Sequence, residues 1–244
     1  MQRWGLKGGT LQTSSKLLGP RTIVLFIVVA CFLLVAVIEG GFVHLAAPIA
    51  AKVVDSGTGQ PIEGASVVAT WNLEGGLEGG AITGHAMVME AVTDANGQFR
   101  FPGWGPTLGY AAGDIKAAAP ELLIFKSGYR YWTARNHALL RSAPFYMHSD
   151  YDGAVIKLDR FTGTVEDYAK ATSDPLNIDI NSLLANNECN WKQIPKFLWS
   201  LEQQNQAFLA QRTTHPLYSL AYLRDAYRRG GCGDLRAFVE RNGR

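Results

Sequence analysis

The spacing of apolar and polar positions changes twice along this chain. Thr22 to Ile38 is an unbroken apolar run, TIVLFIVVACFLLVAVI. From Ile49 to about residue 160 the period is two. Ala65, Val67, Ala69 and Trp71 fall on one face of a strand, and Ser66, Val68 and Thr70 on the other. Strands are predicted over 49–54, 62–72, 85–93, 98–102, 121–126 and 154–159. In the last of these Val155, Lys157 and Asp159 alternate with Ala154, Ile156 and Leu158, as a half-exposed strand would. Beyond residue 160 the period is helical. A short helix is predicted from Thr164 to about Lys170. Asp174-Pro175 opens a second, in which Leu176, Ile180, Leu183 and Leu184 recur on one side. Pro195 opens a third, with Phe197, Leu198, Leu201, Phe208 and Leu209 inward. Pro216 opens a fourth, which stops at Gly230-Gly231, and a last short helix carries Leu235, Phe238 and Val239.

The turns have mechanisms of their own. Asp55-Ser56-Gly57-Thr58-Gly59-Gln60-Pro61 and Thr93-Asp94-Ala95-Asn96-Gly97-Gln98 each join two strands. Asp55 and Asp94 can accept hydrogen bonds from backbone amides just ahead of them, and Gly57, Gly59 and Gly97 supply positive φ. Asp94 to Gly97 has the look of part of a calcium loop. Gln98 and Arg100 follow where further oxygen ligands would be required, so it reads as a turn.

These residues carry a family resemblance. Lys52-Val53-Val54-Asp55, Thr58-Gly59-Gln60-Pro61-Ile62-Glu63-Gly64-Ala65 and Thr93-Asp94-Ala95-Asn96-Gly97-Gln98-Phe99 resemble the carboxypeptidase regulatory-like domain. Lys126-Ser127-Gly128-Tyr129 resembles the segment that often closes that module. The resemblance covers about a third of the chain. It implies a mainly β fold, a transthyretin-like or Ig-like sandwich that serves as an accessory or binding domain of the bacterial envelope. It brings no catalytic residues with it.

The remaining features divide the chain into 1–21, a cytoplasmic N-terminus; 22–42, a transmembrane anchor or signal segment; 48–160, the sandwich; and 161–244, a C-terminal helical extension. As a helix, the apolar run spans about 26 Å, close to the thickness of a bilayer core. Arg3, Lys7, Lys16 and Arg21 precede it, which places the N-terminus in the cytoplasm and the remainder outside, in the periplasm. A secreted chain with a cleaved signal is the alternative, although Leu45-Ala46-Ala47-Pro48 is a poor cleavage site. Acylation at Cys31 is disfavoured, because seven more apolar residues follow it. The net charge of +2 gives no argument for nucleic acid as a partner.

Three cysteines are present. Cys31 lies in the apolar run. Cys189 and Cys232 fall in the segment expected outside, where an oxidising compartment favours a disulfide between them. The 26 glycines and 11% aromatic residues suit a turn-rich β domain. Trp104, Tyr129, Tyr131 and Trp132 lie in or beside long loops. They form a candidate surface for a protein or glycan partner in the envelope, against the alternative that they pack.

Three enzyme classes are tested by their residues. No histidine is followed by the His-x-x-Glu spacing of zinc carboxypeptidases. The C-terminus, Arg241-Asn242-Gly243-Arg244, departs from that of the transthyretin-like urate-pathway hydrolases. Intradiol dioxygenases, which use a related sandwich, need a His-x-His that this chain lacks. The expectation is a non-enzymatic, membrane-anchored envelope protein without cofactor. The alternatives are a metal-dependent enzyme that gathers His85, His137 or His148 with Tyr129 or Tyr146, and a glycan-binding module.

Overall fold

The computed structural model describes residues 20–39, 43–75, 80–110, 113–137, 145–183, 189–217 and 231–243, with the side chains of the first helix given at Pro20 and from Ile23 to Cys31. The chain divides into two units, Met1–Gly40 and Gly41–Arg244. In the first, helix α1 runs Pro20–Glu39, and its side chains from Ile23 to Val29 are exposed. Among the described residues no helix is long and apolar enough to cross a membrane. Of the segment expected over 22–42, residues 22–39 are found in a helix and 40–42 lie outside the described residues; a membrane span is not found among those described.

The second unit is mainly β, with three sheets. The first holds β2 (Ile49–Asp55) between β5 (Gln98–Phe101), antiparallel to it, and β11 (Val155–Leu158), parallel to it. The second holds β1 (Val43–Ala46) between β6 (Trp104–Leu108) and β10 (Tyr146–Met147). The third runs β4 (Ala81–Val92), β3 (Ser66–Gly75), β8 (Glu121–Phe125), β9 (Trp132–Arg135), all antiparallel, with β7 (Asp114–Ile115) beside the end of β3.

All three sheets contribute to one core. Val53, Phe99 and Ile156 enter it from the first sheet, Ala46, Trp104 and Met147 from the second, and Val67, Ala69, Trp71, Leu122 and Ile124 from the third. The alternation predicted for β3 therefore points its apolar face inward. Trp71 and Trp104 meet edge to face at 5.5 Å in this core.

The other face of β3 is also buried. Val68, Val88, Leu123 and Phe125 pack under the C-terminal helices in a second apolar cluster. Helix α2 (Val165–Leu183) supplies Leu176, Ile180 and Leu183. A 3-10 turn (Asn190–Gln193) supplies Trp191. Helix α3 (Pro195–Ala210) supplies Phe197, Leu198 and Leu201, and α4 (Leu235–Asn242) supplies Leu235 and Val239. This layer explains why β8 is buried at every position, although antiparallel sheets often leave one face to water.

Two expectations for the helices are corrected. The helices predicted on either side of Asp174-Pro175 are one, with Pro175 inside α2. A proline there removes one amide donor and crowds the preceding turn. Leu176, Ile180 and Leu183, all buried, hold the second half of the helix against the sheet, and this packing overrides the local break. The helix predicted from Pro216 falls on 218–230, outside the described residues; Leu217, just before them, is buried. Helix α3 opens at Pro195 as expected, and α4 carries an N-cap, Asp234, whose carboxylate accepts from the Ala237 amide at 3.0 Å.

Candidate functional site

The best-connected polar centre is Asp55, at the end of β2. Its side chain is almost fully buried. Oδ1 accepts from the Gly57 amide at 3.0 Å, from the Thr58 amide at 2.9 Å and from the Thr58 hydroxyl at 3.1 Å. Oδ2 accepts from the Tyr129 hydroxyl at 3.0 Å and from Arg160 Nε at 2.5 Å. The Thr58 amide, Arg160 and Tyr129 hold this carboxyl well below the usual carboxylate range, against the opposing effect of burial. The Arg160 guanidinium also lies 5.1 Å from the centre of the Tyr129 ring. Every strong acceptor position of Asp55 is thus filled from within the chain.

The segment Lys126-Ser127-Gly128-Tyr129 acts residue by residue. Lys126 Nζ donates to the Glu63 carbonyl at 2.7 Å, which secures the turn before β3. Ser127 donates to Gln204 Oε1 at 2.6 Å, which reaches α3. Gly128 sits at φ +83° and gives its amide to the Tyr168 hydroxyl of α2 at 2.8 Å. Tyr129 donates to Asp55. Four consecutive residues therefore fasten a turn, two helices and the end of β2.

A second polar centre lies on the helix-facing side of the third sheet. Glu121 of β8, 8% exposed, accepts from Asn72 Nδ2 at 3.2 Å and from Arg135 Nε at 2.9 Å. Lys116 pairs with Glu74 at 2.5 Å beside it, and burial lowers the lysine's pKa. The gap between Glu121, Arg135, Lys116 and Asn72 has no room for a water-sized molecule. Two carboxylates face two cations here, and the cluster ties β3, β8 and β9 together. It offers no open position for a substrate.

Of the four aromatics considered as a candidate surface, Trp104 and Tyr129 pack inside and Tyr131 and Trp132 are partly buried. Trp104 and Tyr129 are each 8% exposed and belong to the inner core. Their apolar rings are drawn inward by the hydrophobic effect, and the Tyr129 hydroxyl keeps a buried partner in Asp55. Tyr131 packs against the second cluster and donates to Asp179 of α2 at 2.8 Å. Burial pushes the Tyr131 hydroxyl well above its ordinary pKa, and burial also raises that of Asp179. Trp132 packs edge to face on Tyr151 at 5.4 Å.

The histidines are spread over separate environments. His85 is buried, with Nδ1 3.1 Å from Asn190 Nδ2. His137 is exposed beside Asp150 at 3.1 Å. His148 stacks edge to face on Tyr146 at 4.4 Å. Among the described residues there is no group of three or more His, Cys, Asp or Glu side chains placed to hold a metal ion.

The disulfide is present. Cys189 and Cys232 are joined, with Cα atoms 5.6 Å apart, and the bridge ties the 3-10 turn to the approach of α4. Cys31 is a free, exposed thiol. Sequence reasoning missed Glu90 of β4. Its carboxylate accepts from the amides of Lys196 at 3.1 Å and Phe197 at 2.9 Å, the open donors at the start of α3. Ile194, the residue before α3, makes no side-chain cap, so a carboxylate from the sheet does the capping.

No family model matches the chain, and no curated protein matches it. Solved structures give distant likenesses. A 3-chlorocatechol 1,2-dioxygenase from Rhodococcus opacus 1CP is 14% identical over 50% of this chain, with a TM-score of 0.29. A cohesin–X-dockerin complex from Acetivibrio cellulolyticus is 17% identical over 55% of this chain and 72% of its own, with a TM-score of 0.22. A 9R-lipoxygenase from Cyanothece PCC8801 is 12% identical over 77% of this chain, with a TM-score of 0.25. The chain spans 61% of the dioxygenase and 34% of the lipoxygenase. At these scores the likenesses carry no argument about activity.

Proposed function

We propose that this chain is a membrane-anchored, extracytoplasmic β-sandwich of the carboxypeptidase regulatory-like kind, with a binding or structural role and no chemistry of its own. The observation that supports it most directly is the Cys189–Cys232 disulfide, which fits an oxidising compartment. The polar centres agree with a structural role. Asp55, Glu121 and Glu90 are each engaged by donors that join one element to another. The anchor rests on the sequence, on the seventeen uncharged residues from Thr22 to Ile38 behind a basic N-terminus.

The test is topology and content together. Full-length chain would be expressed in a Gram-negative host and its thiols probed in intact and permeabilised cells with a membrane-impermeant maleimide. A membrane-bound chain whose Cys189 and Cys232 become reactive in intact cells only after reduction supports the reading, provided the purified protein carries no stoichiometric metal. A soluble, shortened chain with the bridge intact would favour the secreted alternative, two reduced thiols would overturn the extracytoplasmic reading, and bound iron or zinc would favour the metalloenzyme alternative.

A further inference from the structure

An asparagine followed by glycine readily loses its side-chain amide, because glycine has no side chain to hinder attack by its own backbone nitrogen. The chain holds two such pairs, Asn96-Gly97 and Asn242-Gly243. In each, the glycine nitrogen gives up its proton and attacks the asparagine Cγ. The bond from Cγ to Nδ2 breaks, ammonia leaves with that proton, and a five-membered succinimide remains. Water then opens the ring at one of its two carbonyls. One opening gives aspartate. The other gives isoaspartate, in which the main chain runs through Cβ and is one methylene longer.

The two pairs are held differently. Asn96 stands exposed in the turn between β4 and β5, and its side-chain amide makes no hydrogen bond with any described residue. All the restraint there lies on the nucleophile. Gly97 is buried, its N–H donates to the Asp94 carbonyl at 2.8 Å, and its own carbonyl accepts from the Val53 amide at 2.8 Å. Asp94 Oδ1 grips the amides on both sides, Asn96 at 2.9 Å and Gln98 at 2.8 Å. The Gly97 nitrogen cannot lose its proton and turn toward Cγ while these bonds hold. At the other pair the Gly243 amide donates to the Val239 carbonyl at 2.8 Å, and Asn242 Nδ2 donates to the Phe238 carbonyl at 2.8 Å. That pair is held by the end of α4 and owes nothing to Asp94.

We propose that Asn96 is a modification site gated by the Asp94–Gly97 turn. The closed turn blocks succinimide formation, its opening admits it, and the isoaspartate product keeps the turn from closing again. The last step follows from the space at Gly97, where even a Cβ would overlap the Val53 carbonyl oxygen. A methylene added to the main chain just before Gly97 displaces it from its pairing with Val53. The aspartate product keeps the backbone path, and the exposed position 96 accepts its charge. Asn96 thus records how often the link between the third sheet and the first has opened.

The test follows deamidation at each pair by peptide mass. Full-length chain is incubated at mildly alkaline pH, folded and in urea, with Asp94→Ala and Asp94→Asn alongside. Global unfolding frees both pairs, whereas opening of the turn frees Asn96 alone, so Asn242 is the internal reference. Asn96 in the folded, unaltered chain should react at least about tenfold more slowly than in urea, the scale of losing bonds to a carboxylate. Asp94→Ala should recover most of that factor at Asn96 and leave Asn242 at its folded rate. Asp94→Asn, which keeps an acceptor oxygen, should stay near the unaltered chain. Equal folded and unfolded rates at Asn96 overturn the gate. So does an Asp94→Ala chain that is no faster at Asn96, or one in which both pairs accelerate together. Chain carrying isoaspartate at 96 should melt below Asn96→Asp, and equal thermal midpoints would overturn the claim that this product holds the turn open.

Discussion

The Tyr129 hydroxyl donates to Asp55 Oδ2 at 3.0 Å across 74 positions of sequence. The bond joins the end of β2 to the segment after β8, so it connects two different sheets. Tyr129→Phe keeps the ring in the core and removes this donor alone. A loss of about 1 kcal/mol is expected, from the usual net worth of such a bond. A urea midpoint unchanged from that of the unaltered chain would show that Arg160 suffices as the donor to Oδ2.

Acid should act through Asp55. Its folded-state pKa is depressed, so its contribution to stability is fully present above the ordinary aspartate value and is lost as pH falls toward the lowered one. Urea midpoints measured from pH 5 down to pH 2 should therefore fall more steeply for the unaltered chain than for Asp55→Asn. Parallel slopes would mean that other carboxylates control the acid limb.

Glu90 should behave in the opposite sense. Burial raises its pKa in spite of the two amides it accepts from. Its protonated form is thus the one the fold favours. That contribution is present below the ordinary glutamate value and is lost as pH rises through the elevated one. The stability of the unaltered chain relative to Glu90→Gln should decline between acid and neutral pH. Glu90→Ala, which uncovers the start of α3, should cost about 1–2 kcal/mol at acid pH, in the range of a lost N-cap, and less as pH rises. Hydrogen exchange at Lys196 and Phe197 gives the local readout.

Two glycines with nearly equal φ should respond differently to alanine. Gly97 has φ +73°, and a Cβ there would overlap the Val53 carbonyl oxygen and press on Pro61. Gly59 has φ +71° and open space around it. Gly59→Ala should cost about 1–2 kcal/mol, the ordinary penalty of a left-handed residue. Gly97→Ala should cost clearly more, because the first sheet must shift to admit it. Equal thermal midpoints for the two variants would contradict the close approach.

Reduction should loosen the helical layer. The Cys189–Cys232 bridge closes a loop of 43 positions, worth about 4 kcal/mol in the chain-entropy model. Cys189→Ser with Cys232→Ser should lower the thermal midpoint. Hydrogen exchange should rise first in α4 and the 3-10 turn. An unchanged midpoint would show that packing of Trp191 and Leu235 suffices without the bridge.

Much of the inner core was legible in the sequence. Ala65, Val67, Ala69 and Trp71 announced their face by period alone, and Asp94 announced its turn by the residues around Gly97. Asp94 Oδ1 indeed accepts from the amides of Asn96 and Gln98. The outer face of β3 was legible only as its polar share. Val68 gave no sign that α2 and α3 would cover it, because that layer comes from residues a hundred positions away. Strands β1, β6 and β10 were not foreseen. They are short, and β6 contains Pro106, which a local reading takes as a breaker. Trp104 and Tyr129 were legible only as an open choice between a partner surface and packing, because long loops often carry function. Trp104 instead opens β6 and Tyr129 follows the end of β8, and both rings turn into the core. Glu90 left no local signature at all, since a cap supplied by another element has no fixed spacing from the helix it serves.

Strand β2 lies between two neighbours made at different times. Its antiparallel partner β5 follows within about fifty residues, but Val155 of its parallel partner pairs with Lys52, about a hundred residues earlier. During synthesis β2 must therefore wait with one edge uncovered until the chain beyond Leu158 has emerged. A chain interrupted before Val155 would leave that edge open to any passing strand. Strand order thus makes completion of the first sheet one of the last events of folding, because its third strand is drawn from the far side of the sandwich sequence.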